Sequence, residues 1–100
     1  MAGPNFLGTD MRDPEVIPYF TWDAPLSVRE IHRSLAAGDA ESFRLLGKIL
    51  REARDTDVWA FTTPGFVAAH WDQLKPPLGR RRAFWEWFLR RLREEGLLAA

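Results

Sequence analysis

Residues 27–54 read SVREIHRSLAAG and then DAESFRLLGKILREAR, and this stretch decides the fold class. It predicts two helices back to back. Ser27 is a suitable N-cap: its hydroxyl can accept from an orphan N–H of the first turn, and Glu30 can reach back to the Ser27 N–H. Val28, Ile31 and Leu35 then recur at helical spacing. Gly38 supplies a left-handed residue that ends the first helix, and Asp39 starts the second. Phe43, Leu46, Ile49, Leu50 and Ala53 continue an apolar stripe, with Arg44, Lys48, Arg51, Glu52 and Arg54 facing away from it. Gly47 costs about 1 kcal/mol against Ala in a helix interior. A close helix–helix approach or simple tolerance accounts for it. The short link predicts antiparallel neighbours. A DNA-binding helix-turn-helix fits less well, because it uses a longer turn and a near-perpendicular crossing.

Outward from the hairpin, the 100 residues predict one domain. Hydrophobic content of 46% and charged content of 28% are ordinary for a globular chain. Five Trp and seven Phe imply a core of a few large side chains or an aromatic contact surface. The absence of cysteine excludes a disulfide framework, a thiolate nucleophile and a cysteine-ligated zinc. No run has the length of a membrane span. Residues 1–18 lack the basic start and apolar run of a signal peptide, so a cytoplasmic location is expected. The formal charge is zero but uneven: residues 1–57 carry seven Lys/Arg against ten Asp/Glu, and residues 58–100 carry seven against four.

Residues 1–17 hold Gly3, Pro4, Gly8 and Pro14 and no regular period, which predicts a flexible N-terminal arm with Phe6, Leu7, Val16 and Ile17 as possible anchors. Residues 18–100 are expected to form a single helical domain. Pro18-Tyr19-Phe20-Thr21-Trp22-Asp23 is an extended aromatic approach, with Phe20 and Trp22 expected over the hairpin core. Asp55-Thr56-Asp57 gives another N-cap signal, and residues 56–61 read as a short helix or turn. Thr63 caps a further helix with Pro64 at its first position. Phe66, Val67, His70, Trp71 and Leu74 form its apolar side, and Pro76-Pro77 stops it. Residues 78–95 predict the last helix, with Gly96 just past its end. Phe84, Trp85, Phe88, Leu89 and Leu92 make its apolar stripe, whereas Trp87 lies off that stripe near Arg80, Arg90 and Arg91.

Catalytic chemistry finds little support. His32 and His70 are the only histidines and lack metal-ligand spacing. No Gly-rich loop follows a strand to cradle phosphate. Asp55 and Asp57 are explained by helix capping. No catalytic residue, cofactor or metal is assigned. Lys75, Arg80, Arg81, Arg82, Arg90, Arg91 and Arg93 fall in a segment whose one acid is Glu86. Three readings stay open: a solvated basic face, a face that docks on an acidic protein groove, and a nucleic-acid surface on which Trp87 stacks a base.

Pro18-Tyr19-Phe20-x-Trp22-Asp23, the Leu26-Ser27 helix start, and Ile49-Leu50-x-x-Ala53-Arg54-x-x-Asp57-Val58-Trp59 together resemble a family of small bacterial proteins. These are often encoded beside a nucleotidyltransferase-like toxin of the abortive-infection type. The resemblance spans residues 18–90 and includes Leu74-Lys75-Pro76-Pro77. It departs at Thr63-Pro64-Gly65, where that pattern has a more acidic helix start. The resemblance implies an antitoxin-like role, binding the toxin and restraining nucleotidyl transfer, and it carries over no catalytic residue.

The expectation is an all-α fold, a compact bundle of four or five helices around the hairpin. Its function is expected to be non-enzymatic protein binding, with Arg80, Trp87, Arg90 and Arg91 as contact residues and a nucleotidyltransferase-like toxin as partner. A nucleic-acid-binding regulator and a self-associating helical scaffold are the alternatives.

Overall fold

The computed structural model describes residues 7–98. It is all-α in class, with six helices: α1 (Val28–Ala36), α2 (Ala40–Glu52), α3 (Asp55–Val58), α4 (Pro64–Ala69), α5 (Trp71–Leu74) and α6 (Arg81–Glu94). Two two-residue strands, β1 (Leu7–Gly8) and β2 (Ile17–Pro18), pair in parallel at the start. Tyr19–Thr21 and Pro76–Leu78 are 3-10 turns.

Local chemistry sets the hairpin. Ser27 Oγ accepts from the Glu30 N–H at 3.1 Å, and the Ser27 N–H donates to Glu30 at 2.8 Å. Those two bonds satisfy reciprocal donors at the helix start. Gly38, at φ 69°, turns the chain. Asp39 then forms a second reciprocal cap with Ser42. The buried Ser42 hydroxyl also donates to the Ser34 carbonyl at 2.6 Å, joining the start of α2 to the end of α1.

Helix α2 is the centre of the packing: it touches α1, α3, α5, α6 and the Pro76–Leu78 turn. Leu46, Ile49, Leu50 and Ala53 meet Phe20, Ile31, Val58, Val67, Leu74, Leu78, Trp85 and Leu89 in one core. Gly47 marks a close approach, but to the Pro77 ring and not to another helix: a Cβ built there would lie 2.8 Å from Pro77 Cγ.

The end of α2 is closed by side chains distant in sequence. Ala53 is already extended (φ −82°, ψ 156°), so the Arg54 N–H swings off the helix axis. It donates to the Tyr19 hydroxyl at 2.7 Å, and that hydroxyl donates to Asp57 at 2.6 Å. Two carbonyls at this end find partners on α6: Trp85 Nε1–H donates to Leu50 at 2.8 Å and an Arg81 N–H to Ala53 at 3.0 Å. These bonds supply what a helix end otherwise takes from water or a glycine cap. Asp57 therefore serves Tyr19 and not the helix-capping role expected of it; the N-cap of α3 is Arg54, without a side-chain bond.

Three further expectations are corrected. The stretch expected as part of a flexible arm is packed over residues 7–17: Met11 enters the core, and the Val16 and Pro14 carbonyls accept from the Val28 and Arg29 N–H groups at 2.8 and 3.0 Å. Those bonds satisfy donors at the start of α1 that have no partner within the helix. Residues 1–6 of that stretch, with Phe6, lie outside the described residues. Trp22, expected over the core, is 67% exposed, because the turn after Thr21 points it outward while Phe20 points in. The single helix expected across residues 64–74 breaks at His70 (φ −114°, ψ 23°), whose ring stacks on Phe66 at 4.2 Å with Nδ1 3.0 Å from the Phe66 carbonyl. This break is one reason for six helices in place of four or five.

Candidate contact surface on the last helix

Helix α6 follows Gly79, which takes φ 54°, a backbone conformation that glycine adopts without a steric penalty. Its inner face is held firmly. Trp85 is fully buried, meets Trp59 edge-on at 5.6 Å, and packs with Phe84 and Phe88. Phe88 stacks on Trp59 at 5.7 Å. Arg81 belongs to this inner face: besides bonding Ala53, its guanidinium lies 5.4 and 5.5 Å from the Phe84 and Trp85 rings.

Trp87 is on the other side. It is 49% exposed, and its nearest ring is Phe84 at 6.2 Å. A tryptophan left half in water on an anchored helix is a large apolar surface presented at a fixed angle. Advancing about 100° per residue, Arg80 and Arg91 fall within roughly 40° of Trp87 around the helix. Arg80, Trp87 and Arg91 therefore share one outward strip, and both arginines are exposed. Arg91 donates to Glu95 at 2.6 Å, which holds it extended along the helix.

Arg90, expected in the same patch, is displaced from it. It lies on the opposite flank of Trp87, where it lines a groove with Leu89, Arg93, Ala68 and Trp71. The four sequence-predicted contact residues thus divide into a strip of three and a groove residue.

Two apolar features escaped the sequence reading. Phe66 is 42% exposed. It helps line a cavity of about 330 Å³ between the hairpin and α4, walled by His32, Leu35, Phe43, Leu46 and Phe61. Its spacing with Val67, His70, Trp71 and Leu74 predicts a place on the packed side of one helix, but of these residues only Val67 and Leu74 are fully buried. Trp22 is the second.

The titratable groups have local explanations. His32 packs on Phe61 at 5.0 Å, and His70 packs against both Phe43 and Phe66, which also stack on each other at 6.2 Å. The backbone N–H of Ser42 holds the Asp39 carboxyl below its ordinary value, as that of Ser27 does for Glu30. Among the described residues no three His, Asp or Glu side chains converge as a metal-binding group. None of the described helices is long and apolar enough to cross a membrane. Tyr19, Arg54, Asp57 and Trp59 gather around the end of α2 and the inner face of α6. Comparison with protein-family models, with curated proteins and with solved structures found no match.

Proposed function

We propose that this chain is a non-enzymatic protein-binding module that docks through the outward face of α6, with an antitoxin-like role toward a nucleotidyltransferase-like toxin. One observation carries the reading: Trp87 is half exposed on a helix whose opposite face is locked into the core, and Arg80 and Arg91 flank it. Trp and Arg are the residue types that most often dominate binding energy at protein interfaces, and a rigid helix presents them at low entropic cost. The resemblance described above points to the partner. The mechanism is occlusion, with the basic helix covering the acidic, metal-binding cleft of the toxin and so restraining nucleotidyl transfer.

The test is co-expression with the adjacent open reading frame, with a tag on that neighbour. Co-purification, together with growth rescued only when this chain is present, supports the reading. Trp87→Ala should weaken the complex by about 2 kcal/mol or more. No complex and no rescue would discard it. A second reading, a nucleic-acid-binding regulator, is favoured by Arg80, Arg90 and Arg93, which form no ion pair among the described residues. A mobility shift that weakens steeply with salt would support that reading instead.

A further inference from the structure

We infer that the groove between the α4–α5 segment and α6 is a second docking site, and that its occupant is an acidic, extended peptide segment of a protein partner. The inference rests on the reading of the chain as a protein-binding module, but it uses different residues.

The groove holds about 630 Å³ and is lined by Ala68, Trp71, Gln73, Leu89, Arg90 and Arg93. Its charge is unevenly committed. Two acids also line it, and both are engaged by cations on their own segments: Glu86 accepts from Arg82 at 3.1 Å and Asp72 pairs with Lys75 at 3.1 Å. Arg90 and Arg93, one helical turn apart, form no ion pair among the described residues. Arg91 between them in sequence is paired with Glu95 and faces elsewhere. The groove therefore offers two guanidinium groups beside half-buried Trp71 and Ala68, with the buried Leu89 at its base.

Each guanidinium presents a planar fork of donors that matches a carboxylate in bidentate geometry. The apolar surface next to them takes an apolar side chain. An extended segment alternates its side chains, so acidic residues on one side reach the arginines while an apolar neighbour faces Trp71 and Ala68. A nucleic-acid strand fits less well. A strand presents a continuous run of phosphates, of which two arginines neutralise few.

The experiment uses the full chain and a short fluorescein-labelled peptide alternating glutamate and leucine, read by fluorescence anisotropy. Arg90→Gln with Arg93→Gln should weaken binding about tenfold or more, the loss expected from removing charged hydrogen-bond donors. Arg80→Gln with Arg91→Gln removes the same charge and should change binding less than about twofold, within the small effect of exposed charges. Equal losses from the two pairs, or no binding of the peptide, would overturn the inference. So would tighter, groove-dependent binding of an oligothymidylate of equal length. Glutamine keeps helix propensity, and circular dichroism checks that each variant is folded. Independently of any variant, the peptide should shift the Trp71 indole N–H resonance of the wild-type chain; a shift confined to Trp87 would count against the groove. A partner held through Trp87 without groove-dependent peptide binding sinks this inference alone. Groove-dependent binding without a co-purifying toxin sinks the toxin reading alone.

Discussion

The indole N–H of Trp85 donates to the carbonyl of Leu50 at 2.8 Å, a bond between two fully buried residues that lie 35 positions apart. It replaces the bond that the Arg54 N–H would have made had α2 continued. Trp85→Phe removes both the donor and part of the ring volume. It should cost about 2–4 kcal/mol in urea-induced unfolding, combining a cavity with an unpaired buried carbonyl. A cost below about 1 kcal/mol would show that the helix end is satisfied in some other way.

The Tyr19 phenol should make stability fall on the alkaline side. Burial pushes it above its ordinary value of 10.0 and the neighbouring Asp57 carboxylate adds to that, while the Arg54 N–H pulls the other way. A raised value favours the protonated phenol in the folded state. Its contribution is complete below the unfolded value and is lost as pH rises through the folded one. Tyr19→Phe should lower stability by about 1–2 kcal/mol at neutral pH and remove this alkaline component. Denaturation curves for both chains from neutral pH to above 10 check it, and parallel profiles would refute the assignment.

Gly47→Ala separates helix propensity from packing. Propensity alone predicts a gain of about 1 kcal/mol. A Cβ 2.8 Å from Pro77 Cγ forces a shift of a ring that has little freedom of its own. The expected outcome is a net loss of about 1–2 kcal/mol, read as a lowered Tm. A raised Tm would mean that the turn at Pro77 yields easily.

Trp22 and Phe20 give a matched contrast. Phe20→Ala should cost about 3–5 kcal/mol, as for a buried aromatic ring. Trp22→Ala should stay within about 0.5 kcal/mol, as for an exposed side chain. Equal losses from the two substitutions would place Trp22 in the core after all.

Features governed by one helical turn were legible in the sequence. The Ser27–Glu30 and Asp39 caps, Gly38, Thr63 with Pro64, and Gly96 each obey a rule that spans three or four residues. The phase of α6 also separated Trp87 from the buried stripe. What escaped depended on partners distant in the chain. Nothing near Glu52 announces that Tyr19, Arg81 and Trp85 will close α2. Residues 7–17 show no period because they dock by carbonyls, which every residue has. Phe20 and Trp22 sit in a tight turn too short for a hydrophobic rhythm to assign a side. Arg90 stands only three residues from Trp87, yet α4 and α5 decide which flank becomes a groove.

The closure of α2 from both directions also bears on how the chain is made. During synthesis residues 40–52 emerge long before Arg81 and Trp85, so a nascent chain holds this helix with two carbonyls at its end still open to water. A fragment that stops at residue 54 should fray there, and loop-closure entropy makes the missing contacts among the last to form. The final turn of the hairpin that reads most plainly in the sequence is therefore closed by groups that only α6 brings.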